Sequence, residues 1–308
     1  MSELIFIALG VTCAAIGGDL FVRGVVGLGH WARISPGIVG ATLAAFATSS
    51  PELSVALHSA TAGTPEIALG NALGANVVNI SLILAIALVL TSMRSTREAI
   101  RREYIVALLA PLLTGLLILD GELSAFDALL LLLLFVVWLA KAANKAKEQR
   151  IEPATDGTRN RQWPVVLYCL SGLVLLIAAG HFFVSGASGL AAQFGIDEFI
   201  IGATLVALGT TIPELATTLI ARLRGHDEVG LGALLGSNIF NGLFIVPLAA
   251  SIHPITVAWY EAVPALIFGL VSVALVLPGR NGMINRWRGL LLLMLLLAYF
   301  AVLGAGAI

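Results

Sequence analysis

The sequence predicts an all-α membrane protein: about ten transmembrane helices in two inverted five-helix repeats. Three observations carry that prediction. The chain has 308 residues, of which 59% are hydrophobic and only 11% charged, far less charge than a water-facing surface requires. Apolar runs long enough to cross a bilayer recur along its whole length. One half of the chain can also be laid over the other at a single fixed offset.

The apolar runs lie at approximately 3–29, 36–60, 66–91, 103–120, 123–142, 163–190, 198–222, 228–252, 257–277 and 287–306. The first reads as a membrane helix and not a signal peptide. Only Ser2 and Glu3 stand before its apolar run, so it has no basic n-region. Between the fifth and sixth runs lies the one soluble stretch, Lys141 to Arg161, KAANKAKEQRIEPATDGTRNR. Its Pro, Asp, Gly and Asn favour a loop or linker. The expected organisation is a first five-helix repeat over 1–142, a basic cytoplasmic linker over 143–162 and a second, inverted repeat over 163–308. A linker of roughly twenty residues is too short for a folded regulatory domain.

Basic residues predict the orientation. All 17 Lys and Arg fall in or beside the odd-numbered connections. The first has Arg23 and Arg33, the third Arg94, Arg97, Arg101 and Arg102. The fifth has Lys141, Lys145, Lys147, Arg150, Arg159 and Arg161, the seventh Arg222 and Arg224, the ninth Arg280, Arg286 and Arg288. The even connections carry acids such as Asp120, Glu122, Asp197 and Glu198. Positive charge stays in the cytoplasm, so the expectation is a multi-pass protein of the cell (inner) membrane with both termini outside.

Composition also excludes. The net charge is −1 and no basic stripe is interleaved with aromatics, so no nucleic-acid partner is expected. Cys13 and Cys169 sit inside apolar runs, outside any CxxC or Cys/His cluster, and read as small apolar residues. No Ser–His–Asp order, HExxH or P-loop is present, so neither an enzyme nor an ATP-driven pump is expected. No cofactor and no protein partner is called for.

The repeat lies at an offset of 162. The stretch GIVGATLAAFATSSPELSVAL from Gly37 falls on FIIGATLVALGTTIPELATTL from Phe199, and LGNALGANVVN from Leu69 falls on LGALLGSNIFN from Leu231. About 19 of 44 aligned positions are identical, which is duplication and not shared apolar composition. Upstream, Gly18, Phe21, Val22, Gly24 and Gly27 fall on Gly180, Phe183, Val184, Gly186 and Gly189. Five crossings per repeat, an odd number, insert the second half upside down, an arrangement many secondary transporters use.

Glu52 and Glu214 occupy matched positions, each in the middle of an apolar run. A charge at the bilayer centre costs about 2.5–3.5 kcal/mol on insertion scales. No Arg or Lys lies at comparable depth, which leaves a bound cation or a proton as compensation. Pro51 and Pro213 immediately precede the two acids. Proline in a helix removes a donor, releasing the carbonyls around Ala47 and Thr48 in one half and Gly209 and Thr210 in the other. Backbone oxygens at membrane depth must be satisfied, and a desolvated cation can do it. A plain kink would not explain a carboxylate one residue later in both halves.

Helical spacing assembles a face from Ala45, Thr48, Ser49 and Glu52, and a matching one from Ala207, Thr210, Thr211 and Glu214. The following helices offer Asn76 and Asn79 with Ala75, and Asn238 and Asn241 with Ser237. A single membrane Asn is often helix–helix glue; four in matched pairs read as ligands. Gly70/Gly74 and Gly232/Gly236 read as packing pairs that let helices approach. Asp19 and Arg23 are spaced to pair along the first helix; His181 replaces Asp19 in the second half, and His58 lies near the outer end of the second helix. All the candidate ligands are oxygens, which suits Ca²⁺ or Na⁺ and not softer transition metals. Two carboxylates neutralise one divalent or two monovalent ions, so the ion types compete, which is the physical basis for exchange. A proton could also take this role, since a carboxylate taken out of water binds one more readily.

At these residues the chain resembles the calcium/cation antiporter superfamily, and prokaryotic sodium/calcium exchangers in particular. The motifs GATLAAFATSSPE and GATLVALGTTIPE look like that family's two α-repeats, as do GANVVN and GSNIFN. The likeness covers nearly the whole chain. It implies ten helices in inverted halves and Glu52 and Glu214 as the main Ca²⁺ ligands, joined by backbone oxygens of Thr48 and Thr210. It also implies Na⁺ positions lined by Ala45, Ala207, Ser49, Thr211 and Ser237, with Asn79 and Asn241 at the centre. Three departures stand out. Asn241 replaces a usual Asp, Ala75 a usual Ser, and Ala47 the glycine of the first motif.

Four functions remain after this reading. The first is a secondary antiporter exchanging Ca²⁺ for Na⁺ by alternating access. The second uses H⁺ as the coupling ion at the same two Glu residues. The third is a passive cation channel, whose selectivity ring would need several subunits or an open pore. The fourth is a membrane scaffold with a vestigial site. The partners expected are Ca²⁺, Na⁺ or H⁺, and membrane lipids.

Overall fold

A computed structural model of the chain describes residues 2–63, 65–148, 162–193, 207–257, 259–279 and 281–306. It is built of helices joined by short connections. In order they are α1 (Ser2–Ala32), α2 (36–48), α3 (Ser50–Ala62), α4 (Glu66–Leu90), α5 (Arg97–Leu117) and α6 (Ala125–Glu148). Then come α7 (Gln162–Gln193), α8 (Ala207–Thr210), α9 (Ile212–Leu223), α10 (Asp227–Ile252), α11 (Trp259–Ala274) and α12 (Arg286–Gly306). Among the described residues, α1, α4, α5, α6, α10 and α12 are long and apolar enough to cross a membrane. In α4 and α10 the apolar windows are 72% and 94% buried, against 22–29% in the other four. The less buried helices therefore carry the apolar surface that faces lipid, exemplified by exposed Leu112, Leu116, Leu133 and Val136.

The elements differ from the sequence expectation at two places. Helix α6 continues through Lys141, Lys145 and Lys147 to Glu148, where a loop was expected from the fifth connection. The run AKAANKAKE is made of good helix formers, and the loop-forming Pro, Asp and Gly come later, at 153–157, outside the described residues. Helix α5 begins at Arg97 and not near 103, because Thr96 caps it: its Oγ1 accepts from the Ala99 amide at 3.2 Å. The expected start of the seventh apolar run, 198–206, lies outside the described residues.

The chain packs into two units, one of Met1–Thr48 and Ala140–Ala233, the other of Ser49–Leu139 and Leu234–Ile308. Each draws helices from both halves of the sequence. In the first unit α1 and α7 pack along their length around Phe21, Val22, Val25 and Leu176, with Val39 and Val229 completing the core. Glycines make the crossing close. A Cβ at Gly24 would lie 2.5 Å from Cys169 Sγ, and one at Gly172 would lie 2.5 Å from the Phe21 amide nitrogen. Gly232 meets the Gly37 carbonyl at 2.7 Å in the same sense, as a packing glycine should. Gly70 does not: nothing lies within 4 Å of its Cβ position, and Gly74 has only the Tyr299 hydroxyl at 3.8 Å. Among the described residues, the small-residue spacing in α4 therefore makes no close backbone approach: Gly70 faces open space and Gly74 touches only a side chain of α12. Asp19 binds Arg23 at 3.0 Å as its spacing predicts, and it also pairs with Arg224. Arg222 pairs with Asp227 at 2.6 Å. Cys13 and Cys169 are unpaired and half-buried.

In the second unit two short antiparallel ladders tie connections together. β1 (Met93–Arg94) pairs with β4 (Met283–Ile284), joining the third connection to the ninth, and β2 (Glu122–Leu123) pairs with β3 (Ile255–Thr256), joining the fourth to the eighth. Odd thus pairs with odd and even with even. The arginines here also close helix ends. Arg97 Nε donates to the Pro278 carbonyl at 2.9 Å, Arg286 Nη2 to the Leu90 carbonyl at 2.7 Å and Arg288 Nη1 to the Leu275 carbonyl at 3.1 Å. The Leu90 carbonyl ends α4 and the Leu275 carbonyl lies one residue past α11, at the negative ends of those helices, where carbonyls lack intrahelical donors; the Pro278 carbonyl belongs to the connection that follows α11. Phe135 and Trp138 of α6 meet the edge of Phe240 of α10, with 5.0 Å between the Phe135 and Phe240 centroids, and Phe135 also lies against Phe244.

Candidate functional site

The two prolines do more than kink their helices. Ser49, at φ −81° and ψ 12°, and Thr211, at φ −87° and ψ 3°, both leave the helical region. The helix then restarts at Ser50 and at Ile212, with proline as its second residue, where a missing N–H costs nothing. Leu53 N bonds the Ser49 carbonyl at 3.1 Å and Leu215 N bonds the Thr211 carbonyl at 3.0 Å, so the two interruptions match. Glu52 and Glu214 fall in the first turn of the restarted helices and are buried. A carboxylate is favoured there by the positive end of the helix dipole. Each interruption also turns the last carbonyls of α2 and α8 into helix ends.

The second unit gathers Ser49, Glu52, Asn76, Asn79, Ser237, Asn238 and Asn241, all buried. Helix α3, which carries Glu52, packs against both α4 and α10. The Ser49 and Ser237 hydroxyls meet at 2.7 Å. The four asparagines form a two-fold network. Asn76 Nδ2 donates to the Asn238 carbonyl at 3.3 Å, and Asn238 Nδ2 returns to the Asn76 carbonyl at 3.1 Å. Asn241 Nδ2 donates to Asn76 Oδ1 at 2.9 Å, and Asn79 Nδ2 donates to Asn238 Oδ1 at 3.1 Å. Asn76 and Asn238 thus spend their amide groups on each other's helix. They are not presented as ligands, contrary to the sequence reading of all four. Asn79 Oδ1 and Asn241 Oδ1 remain, buried and without a hydrogen-bond partner. Both residues open π-helical turns, Asn79–Leu84 and Asn241–Ile245. Such wide turns cluster at functional sites, and nothing in the local sequence announced them.

The first unit holds Ala45, Thr48, Thr210, Thr211 and Glu214, and also Ala207, where α8 begins. Ala45 and Thr48 are buried at the end of α2, and Thr48 Oγ1 donates to the Ala44 carbonyl at 3.0 Å and the Ala45 carbonyl at 3.3 Å. Helix α9, with Glu214, packs against this last turn of α2. Thr211 does not repeat the behaviour of Ser49. Its Oγ1 donates back to the Leu208 carbonyl at 3.0 Å, and the counterpart of Ser237 in the other half is Ala75, which has no hydroxyl. One turn beyond Glu214, Thr217 and Thr218 are buried hydroxyls without a hydrogen-bond partner, where the first half has Val55 and Ala56. Sequence spacing from Glu214 could have found them; the i+3 and i+4 positions share its face. His58 and His181, by contrast, are exposed on their helices.

Comparison with known proteins places these residues in context. The chain matches the profile described as sodium/calcium exchanger protein over residues 2–142 and 164–304. It is 34% identical over 230 residues to the inner membrane protein YrbG of Escherichia coli K12, a match covering 72% of this chain and 71% of that protein. It is 26% identical over 348 residues to the sodium/calcium exchanger MaX1 of Methanosarcina acetivorans, covering 98% of each. Among solved structures it resembles the sodium-calcium exchanger NCX_Mj soaked with Na⁺ and Sr²⁺, with a TM-score of 0.84 at 26% identity, over 98% of this chain and 99% of that one.

Proposed function

The chain belongs to the sodium/calcium exchanger protein family, and we propose that it is a secondary antiporter exchanging Ca²⁺ for Na⁺ across the cell membrane by alternating access. The observation that carries this reading is the matched pair of helix interruptions, each followed within one turn by a buried carboxylate. An acid so placed costs about 2.5–3.5 kcal/mol, and a bound cation offsets that cost. In this reading Glu52 and Glu214 are the main Ca²⁺ ligands, with backbone oxygens of Thr48 and Thr210. Ala45, Ala207, Ser49, Thr211 and Ser237 line Na⁺ positions, and Asn79 and Asn241 offer amide oxygens. The donors are all hard oxygens, as Ca²⁺ and Na⁺ require.

The same reading makes the chain ten transmembrane helices in two inverted repeats, 1–142 and 163–308, joined by a cytoplasmic basic linker, with both termini outside the cell (inner) membrane. The ladders support it. The repeat offset carries β1, in the third connection, to β3, in the eighth, and carries β2 to within one residue of β4. A symmetry that sends an odd connection to an even one is what inversion demands.

One observation favours a second reading, H⁺ as coupling ion. The hydroxyl pair Ser49–Ser237 is not repeated at the symmetry-related positions, where Ala75 stands for Ser237 and Thr211, the counterpart of Ser49, turns to its own backbone. Na⁺ coordination is poorer there, and the two carboxylates alone can carry protons. Calcium uptake into proteoliposomes separates the readings. Uptake driven by an outward Na⁺ gradient, and lost in Glu52→Gln and Glu214→Gln, is the expected result. Uptake driven only by outward H⁺ selects the second reading. Entry of Ca²⁺ down its own gradient without a counter-ion would mean a channel and overturn both, and equal activity in wild type and both Gln variants would mean that these acids are not the site.

A further inference from the structure

We propose that Asn76 and Asn238 are positioning residues, which fix the amide orientation of Asn79 and Asn241 so that each presents oxygen, not nitrogen, to a bound cation. The inference rests on the proposed cation site and concerns how two of its donors are held.

An asparagine amide can sit either way round, with oxygen and nitrogen exchanged, and only its partners decide. Asn238 Oδ1 is an acceptor and cannot face another oxygen, so it holds the Asn79 NH₂ group at 3.1 Å. Asn76 Oδ1 holds the Asn241 NH₂ group at 2.9 Å. The holders are themselves held. Each donates its own Nδ2 to the other's backbone carbonyl, at 3.3 and 3.1 Å, which prevents them from flipping in turn. The four bonds run between α4 and α10, in the second unit. The result is that Asn79 Oδ1 and Asn241 Oδ1, both buried, are the two amide oxygens of the network left with no donor. A buried acceptor without a donor is destabilising, and a cation is the partner that needs only lone pairs. If either amide turned over, it would set two N–H donors against the ion. This is the relation between a ligand and the outer group that orients it at metal sites.

The crossed pairing gives the test. Asn238 governs Asn79, and Asn76 governs Asn241. A carboxylate has oxygen on both sides, so Asp at 79 or 241 needs no orienting partner. Binding of radiolabelled Ca²⁺ to the purified full chain in detergent would be measured for wild type, Asn238→Ala, Asn76→Ala, Asn79→Asp, Asn241→Asp and the four double variants, with thermal stability read on the same samples. Asn238→Ala is expected to weaken Ca²⁺ about 10- to 100-fold, the usual effect of losing an orienting group. In the Asn79→Asp background the same change should cost no more than about twofold, the ordinary error of additivity, yet in the Asn241→Asp background it should keep its full cost. Asn76→Ala should show the mirror pattern, rescued by Asn241→Asp only, so either half of the design suffices if one alanine variant fails to fold. Equal rescue by either Asp would mean that added charge, and not orientation, restores binding, and would overturn the proposal. So would additive losses in all four doubles, the result for a purely structural network. A wild-type chain that binds no Ca²⁺ would remove the cation site itself, and this inference with it.

Discussion

Replacing Gly24 with Ala measures how closely α1 and α7 are packed. A Cβ at Gly24 would sit 2.5 Å from Cys169 Sγ, 2.6 Å from Cys169 N and 2.9 Å from Cys169 Cα. Carbon atoms at ease keep about 3.5–4.0 Å, so the helices must part by about 1 Å. Two of the three obstructing atoms are backbone, which no rotamer change can move. Overpacking of this kind costs about 1–3 kcal/mol. A gap of 1 Å also forfeits up to about half of the dispersion energy of each contact it opens. Gly17 and Gly172 make similar approaches in the same crossing, at 2.8 and 2.5 Å, so the loss should fall near 3 kcal/mol, at the top of that ~1–3 kcal/mol range. Gly70→Ala is the control. Nothing lies within 4 Å of its Cβ position, and exchanging a mid-helix glycine for alanine stabilises by about 0.5–1 kcal/mol. Thermal unfolding of the detergent-solubilised protein, followed by tryptophan fluorescence, should show Gly24→Ala melting roughly 5–10 °C lower and Gly70→Ala at or above wild type. Equal melting temperatures for wild type and Gly24→Ala would refute the close crossing.

Further outcomes follow from other residues. Asp19→Asn releases both Arg23 and Arg224; because the pair is partly exposed, the loss of stability should be no more than about 1 kcal/mol and should shrink in high salt. Ala75→Ser restores a hydroxyl opposite in symmetry to Ser237. It should raise the Na⁺ dependence of Ca²⁺ uptake, and uptake indifferent to Na⁺ in both proteins would count against the asymmetry argument. Ser237→Ala removes the buried hydroxyl–hydroxyl contact to Ser49, made at 2.7 Å, and should lower stability by about 0.5–1.5 kcal/mol, the usual net worth of one hydrogen bond. The same loss in a Ser49→Ala background would mean that the two hydroxyls are not coupled. Single cysteines at Arg94 and Glu122, tested in a Cys13→Ala, Cys169→Ala background with a membrane-impermeant thiol reagent, should label from opposite sides, the first from the cytoplasm. Labelling of both from one side would break the odd–even pairing of the ladders.

Much of this was legible in residues whose consequence is local. Pro51 and Pro213 foretold breaks just before Glu52 and Glu214, because a missing N–H acts within one turn. The Asp19–Arg23 pair was legible for the same reason. Apolar length placed the long helices among the described residues, apart from the start of α5, set by the Thr96 cap, and the end of α6, carried on by polar helix formers. What escaped the sequence depends on partners far along the chain. The asparagine quartet looked like four ligands until the bonds across 159 to 165 residues divided it into two holders and two acceptors. The π-helical turns at Asn79 and Asn241 are set by packing, to which sequence periodicity is blind. The Gly70/Gly74 spacing looked like Gly232/Gly236 and behaves differently, since a small residue permits a close approach but cannot supply the helix that makes it.

The asparagine network also sets a schedule for biosynthesis. Asn76 finds its partner 162 residues later, and a ribosome adding about 5–20 residues per second needs roughly 8–30 s to supply it. For that interval α4 exists with amide groups made for a helix not yet synthesised, in a solvent that cannot hydrate them. The nascent first half therefore holds these amides without their final partners until α10 arrives, and assembly ends when the amides on the two helices meet.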